Sequence, residues 1–379
     1  MLQAKAAMEF FPFVLVIRVG TSGNYVITIA ASDLDSIVSS ITYSYALTKQ
    51  GNRTTIPIIN IPRDEYNLRT DAFWFLDKFG IGADDLIFYH QNQYLQGVLS
   101  EQANSNSLYV VLVDHNKLAP EQEGLLGRFV NEILDHHIDE KCYSVASDKK
   151  VVELIGSTCT LVSEKMSDEF LKNERQLTEA LLGTILLDTM NLEPQYKKVT
   201  PKDEQQAKRL IVILGYTKKE QDELFDKLFY ERFNVSNLTS QDLLRSDYKE
   251  WKMGSLLVGI ATAKRSLEEW FDKERDIIRE FQQFYKSKQL DVLYVMCAFS
   301  DEQNNFKRQL VVFTSNKDVF SKAVTYLEGC KEELNLVPCH ADLSQKFSTK
   351  DYKVYFFNQF NIASSRKQIQ PLLVKHHSE

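Results

Sequence analysis

Cysteine is scarce and unpaired in this chain. The five thiols, Cys142, Cys159, Cys297, Cys330 and Cys339, are odd in number, scattered and without a CxxC. That argues against a disulfide-stapled scaffold and fits reduced thiols in an intracellular compartment. Long apolar runs are lacking too. Phe10 to Ile17 (FFPFVLVI) is too short to span a bilayer, and no small-residue cleavage site clearly follows it before Arg18. Glu9 and the single early Lys5 make it a poor organelle signal, so a cytoplasmic protein without membrane contact is expected. Nor is there an excess of positive charge: 45 Lys and Arg stand against 52 Asp and Glu, a formal charge of −7. A general nucleic-acid binder is disfavoured, because such binding rests on cationic side chains neutralising many phosphates. An anionic substrate would need metals or a local basic cluster to attract it. Internal repeats and low-complexity tracts are absent.

What is present is an ordinary globular composition, 44% hydrophobic and 26% charged, in 379 residues, more than one core comfortably serves. Two domains are expected, 1–215 and 216–379, with the boundary near Gly215 to Lys219. Phe13 to Val19 and Tyr25 to Ile29 are each candidates for a first buried strand. Ala31-Ser32-Asp33-Leu34-Asp35-Ser36 follows, and then a helical pattern. Thr55 to Ile61, Leu86 to Tyr89, Leu108 to Val113 and Val130 to Leu134 read as further strands, and Val151 to Ile155 leads into Gly156-Ser157-Thr158. Helical patterns cover Leu68 to Phe79, Leu161 towards Phe170, and Leu177 to Leu186. This alternation predicts an α/β domain with a mainly parallel sheet and function outside the strands' carboxyl ends. The second half carries strands at Leu256 to Ala261, Val292 to Phe299 and Gln309 to Thr314, with helices at Leu267 to Tyr285 and Val319 to Leu327.

Acids and imidazoles collect where those strands end. Asp33-x-Asp35 sits at a strand-to-helix junction, Asp114-His115-Asn116 follows LYVVLV, and Asp135-His136-His137 closes VNEIL. Asp188 ends an apolar helix. Hard divalent cations prefer carboxylate oxygen, and imidazole shifts the preference towards Mn²⁺, Co²⁺ or Zn²⁺. Asp33, Asp35, Asp114, His136 and Asp188 offer that mixed ligation from four separate elements. One buried aspartate could bridge two metals about 3.5–4 Å apart, the spacing that serves phosphoester or phosphoanhydride hydrolysis.

SDLDS, LVDHN, LDHH and ILLDT match in order the motifs of the DHH phosphoesterase superfamily. The closing SSRKQ and LLRSDYK resemble the C-terminal domain shared by family II inorganic pyrophosphatases, fungal exopolyphosphatases and animal prune proteins. VELIGSTCTLV, VTPKD and FNVSNLTSQDLLRSD look most like prune. The resemblance implies a two-domain α/β fold with the active site in the interdomain cleft. It implies Asp33 on a first metal, Asp35, His136 and Asp188 on a second, and Asp114 bridging both, with Mn²⁺ or Mg²⁺ as the ions and Co²⁺ as a further option. His137 would face substrate oxygens as an acid or phosphate ligand, and Asp135 would orient the histidine pair. The roles of His115 and Asn116 stay open. Lys249, Arg366 and Lys367 match basic positions that hold phosphate groups, with Lys197 and Lys198 as weaker candidates. Arg offers phosphate a planar bidentate fork and Lys a compact charge. Capping is the expected role of Gly156-Ser157-Thr158.

One position departs from the pattern. Relatives carry His, or in prune and fungal exopolyphosphatases Asn, four residues before the first aspartate of Asp-x-Asp; here Ile29 stands there. Asn24 lies just upstream, so Tyr25 to Ala30 is read as an insertion, genuine or from an imperfect gene model, that displaces it. The expected function is a metal-dependent exopolyphosphatase acting on short inorganic polyphosphate and on pyrophosphate, weakened by Ile29. The alternatives are a cyclic-nucleotide phosphodiesterase and a low-activity scaffold that binds regulatory protein partners, both suggested by prune.

Overall fold

The computed structural model describes residues 25–378 apart from 31–32, 52–54, 91–92, 105–106 and 304. Phe13 to Val19 and Asn24 therefore lie outside the described residues. Two compact units divide the chain, Met1–Asn234 and Val235–Glu379.

In the first unit strands alternate with helices: β1 Tyr25–Ala30, α1 Leu34–Gln50, β2 Thr55–Ile59, α2 Thr70–Lys78, α3 Gln93–Asn104, β3 Leu108–Val113, α4 Pro120–Leu126, β4 Val130–Asp135 and β5 Lys150–Val152. A helical run completes it: α5 Thr158–Glu164, α6 Asp168–Asn173, α7 Arg175–Asp188, α8 Pro201–Leu214 and α9 Lys218–Phe233. The strands form one sheet in the order β2-β1-β3-β4-β5, and every pairing is parallel. Such a sheet is covered on both faces, and Val110 to Val113 are accordingly fully buried. The chain leaves β1 towards β2 on one side and returns to β3 on the other. The crevice outside the carboxyl ends of β1 and β3 is thus the switch point where open α/β sheets bind ligands.

Of the two candidates for a first strand, Tyr25 to Ile29 is one. The segment is an inner strand, paired along its length with β3 and through Val26 to Ala30 with β2, with Ile29 opposite both Ile58 and Leu112. Its β-branched composition suits that place, and removing it would split the sheet.

Against α1, α5, α8 and α9 packs α7, whose Leu181, Leu182, Ile185 and Leu186 are completely buried. Each contributes about 1.5–3 kcal/mol. Gly183 lets α2 close on α7, since a Cβ there would lie 2.5 Å from Phe75 Cζ. Helix α9 packs on α2 and α7. That is why the units divide after Asn234 and not near Gly215, whose φ of 68° makes it the left-handed cap of α8.

The second unit contains α10 Ser240–Ser246, β6 Tyr248–Met253, β7 Leu256–Ala263, α11 Leu267–Lys273, α12 Ile277–Ser287, β8 Val292–Ser300 and β9 Phe306–Thr314. After these come α13 Lys317–Gly329, β10 Leu336–Cys339, α14 Ala341–Phe347, β11 Lys353–Gln359 and α15 Arg366–Ser378. Its sheet runs β10-β11-β9-β8-β7-β6, parallel at β7/β8 and antiparallel elsewhere. Leu267 to Tyr285 is two helices, because the Asp276 side chain caps the second by accepting from the Arg279 amide. Leu86 to Tyr89 forms only a single bridge, Ile59 to Phe88, and Leu161 towards Phe170 is split between α5 and α6. Among the described residues no helix is long and apolar enough to cross a membrane.

Candidate metal centre

Four elements deliver acids to the carboxyl end of the first unit's sheet. Asp33 caps α1 and takes the Ser36 amide at 3.0 Å and the Ser36 hydroxyl at 2.7 Å. Asp114, just past β3, has φ of 64°. Such left-handed strain in a non-glycine residue persists where the surroundings hold it. Its Oδ2 accepts from Ser36 Oγ at 2.5 Å and its Oδ1 from Thr158 Oγ1 at 2.9 Å. A hydroxyl carries one proton. Ser36 therefore cannot serve Asp33 and Asp114 together, and negative charge is left over between them.

Asp35 is buried on the first turn of α1. Three donors converge on its Oδ1: Ser157 Oγ at 2.9 Å, the Cys159 amide at 3.0 Å and Ser39 Oγ at 3.2 Å. Its Oδ2 takes the Thr158 amide at 2.6 Å and has room for one more partner, with His136 Nε2 3.9 Å away. The expectation that Ser157 and Thr158 cap their own helix is corrected. Asp35 receives the free amides of α5, and the two hydroxyls donate to Asp35 and Asp114.

The histidine pair is oriented by its Nδ1 atoms. His136 Nδ1 lies 3.0 Å from the Ile155 carbonyl, turning Nε2 to within 3.2 Å of Asp114 Oδ1. His137 Nδ1 lies 2.8 Å from Asp135 Oδ1, which leaves its Nε2 free on an exposed ring. Asp135 is fully buried, and its Oδ2 receives Asn116 Nδ2 at 2.5 Å. Asn116 also donates to the Ile138 carbonyl at 3.0 Å and accepts from the Glu140 amide at 2.8 Å. Its role is to hold Asp135 and the loop beyond His137. His115 turns Nδ1 to the Val113 carbonyl at 2.9 Å, and burial keeps its pKa below the ordinary value.

Asp188, at the end of α7, keeps one oxygen, Oδ2, buried without a hydrogen-bond partner. Burial and the charges of Asp35 and Asp33 push its pKa well above the carboxylate range. Burial, together with the Asp114 charge, raises Asp35 to about 7. Burial works against ionising Asp114, but hydrogen bonds from His136 and Ser36 outweigh it and hold its pKa low. Burial also opposes charge on His136, yet Asp114 and Asp35 lift it to about 10. A crowd of acids with an orphaned oxygen, an over-subscribed hydroxyl and an imidazole edge fits a hard divalent cation of the Mn²⁺ kind. Among the described residues, Asp114, His136 and His137 are the set whose ligand atoms all lie within 4.8 Å of one another. Asp33, Asp35 and Asp188 surround that set without joining it. His137 lies beside Asp114 and His136, with Nδ1 3.9 Å from Asp114 Oδ1.

Within the second unit, Arg366 at the start of α15 reaches Asp247. Nη2 lies 2.7 Å from its carboxylate and Nη1 donates to its carbonyl at 2.9 Å. Asp247 is two residues before Lys249 on β6, so Arg366 and Lys249 share one end of this unit, and Lys249 and Lys367 are both exposed. Lys197 and Lys198 are exposed in the first unit. Sequence reasoning missed Ser36, the two acid-holding groups of Thr158, and Arg232, which lies 3.6 Å from Asp188.

Residues 25–189 match the DHH family, N-terminal domain, and residues 226–376 match the DHHA2 domain. Exopolyphosphatase PRUNE1 of Mus musculus is 31% identical over 347 residues, spanning 90% of this chain and 73% of that protein. The Homo sapiens protein of the same name is 31% identical over 349 residues, with the same two shares. A manganese-dependent inorganic pyrophosphatase of Methanothrix thermoacetophila is 22% identical over 276 residues, 72% of this chain and 80% of its own.

Proposed function

The chain belongs to the DHH family, with a DHHA2 domain following, and on that footing we propose that it is a metal-dependent phosphoanhydride hydrolase, an exopolyphosphatase acting on short inorganic polyphosphate and on pyrophosphate. The observation that carries the reading is the seating of Asp114. It is fixed by Ser36 and Thr158 at the switch point of a parallel sheet, facing His136 Nε2. Asp33, Asp35, Asp114, His136 and Asp188 would hold two divalent ions, Mn²⁺ first, with Mg²⁺ and Co²⁺ as substitutes. When bound, such ions neutralise phosphate oxygens and activate water for attack on phosphorus.

The protein's own groups supply orientation and proton handling. The Ile155 carbonyl fixes the His136 ring so that Nε2 points at the acids. Asp135 accepts from His137 Nδ1, so His137 Nε2 is the nitrogen left to face the leaving phosphate oxygen, to which it gives a proton when the ring enters the step as the doubly protonated imidazolium and leaves it neutral. Lys249, Arg366 and Lys367 are proposed to bind the phosphate chain. The protein is proposed to act in the cytoplasm, with regulatory protein partners as a further role.

The test is release of phosphate from tripolyphosphate with Mn²⁺, beside cAMP as the competing substrate. Asp114→Ala is expected to abolish it. Unchanged hydrolysis in that variant after chelation and metal repletion would remove Asp114 from the site, and a preference for cAMP would replace the substrate assignment.

A further inference from the structure

Asp188 is held from outside the ligand cluster. Its Oδ1 faces Arg232 Nη2 at 3.6 Å, while its Oδ2 is buried without a donor. A buried carboxylate oxygen with no partner is costly unless a cation meets it. The side chains of Asp188 and Arg232 are 17% and 29% exposed, so solvent replaces neither contact fully.

Arg232 is itself anchored. Its Nε donates to Asp71 Oδ2 at 2.9 Å, and the Oδ1 of that buried acid takes the Ala72 amide at 2.9 Å on the first turn of α2. Beside this pair, Thr70 Oγ1 donates to the Glu231 carbonyl at 2.6 Å, so consecutive residues of α2 grip consecutive residues of α9. A guanidinium is rigid and planar, so fixing Nε on Asp71 also fixes where its Nη atoms lie. An ion pair that only tied α2 to α9 would need no third member. Here the fork continues to the last residue of α7.

We infer that Arg232, pinned by Asp71, is a positioning residue for the divalent metal: it engages Asp188 Oδ1 and so orients the carboxylate with Oδ2 left open to the ion. The inference rests on the metal-dependent reading above and extends it to a side chain on α9, distant in sequence from every acidic motif. Supporting partners of this kind typically change metal affinity by about 10- to 100-fold.

Binding of Mn²⁺ to the full chain, followed by the electron paramagnetic resonance of free Mn²⁺, tests this without reference to turnover. Melting curves in chelator report folding separately. Arg232→Met is expected to weaken Mn²⁺ binding at least about tenfold. Arg232→Lys should recover only part of the loss, because a point charge cannot hold Asp71 and Asp188 together. Asp71→Asn should weaken binding in the same direction, and combining it with Arg232→Met should cost no more than Arg232→Met alone.

Folded Arg232→Met protein with wild-type Mn²⁺ affinity would overturn the assignment, as would additive losses in the double variant. If Arg232→Met does not fold, unchanged affinity in both Arg232→Lys and Asp71→Asn overturns it equally. A wild-type chain that binds no Mn²⁺ would bring down the metal reading itself, which is a different result from tight binding indifferent to Arg232.

Discussion

Thr158 serves two acids with two different groups, its amide on Asp35 and its hydroxyl on Asp114. Thr158→Val keeps the shape and the amide and removes only the hydroxyl. It is expected to leave the fold intact and raise the Mn²⁺ Kd by about tenfold, read by titration calorimetry. The same cluster sets a pH dependence. His136, raised from 6.5 to about 10, contributes stability that is complete below 6.5 and is lost as the pH rises through 10. Asp35, raised from 3.8 to about 7, acts in the same sense, its contribution fading as the pH rises from 3.8 towards 7. Asp114 is lowered, so its contribution fails only on acidification below 3.8. Chelated protein should therefore melt at a lower temperature at pH 9 than at pH 6. Mn²⁺ should offset that difference and release protons on binding, measurable as a calorimetric heat that varies with the buffer. The acids and histidines were legible in the sequence because ligand chemistry admits few residue types. Ser36, Thr158 and Arg232 were not, since many residues can donate a hydrogen bond and only the packing decides which one arrives.

At the level of elements, the start of α5 is the most exacting junction. A Cβ on Gly156 would lie 2.6 Å from Thr189 Cγ2 and 2.8 Å from both Asp203 Oδ2 and the Lys198 carbonyl. Gly156→Ala must push α5 away from Asp35. The expected cost is about 1–3 kcal/mol of stability, seen in denaturant melts, together with weaker Mn²⁺ binding. Period and composition revealed β3, which is almost uniformly apolar, and α7, which is long. They failed at Leu267 to Tyr285, where Asp276 starts a new helix inside an unbroken apolar pattern, and at β10 and β11, whose mixed polarity hid them. They marked Tyr25 to Ile29 as a candidate strand as well, and its β-branched run is β1.

Across the whole molecule the chemistry divides by unit. Every proposed metal ligand belongs to Met1–Asn234, while Lys249, Arg366 and Lys367 belong to Val235–Glu379. Metal and substrate affinity should thus come apart on mutation. Lys367→Ala is expected to raise KM for tripolyphosphate severalfold while the Mn²⁺ Kd stays at the wild-type value, a split read from steady-state kinetics beside metal titration. With a net charge of −7, the chain has no general attraction for polyanions, so these few cations should weigh heavily.

The donors around Asp35 have a consequence in time. Its carboxylate is held by two backbone amides and two short hydroxyl side chains, all on helices packed into the core, and no long flexible side chain has to swing aside. Capture of an ion by such a seat should follow the pace at which the ion sheds its own water. Stopped-flow association would then be fast and single-exponential, with no slower step from rearrangement of the chain.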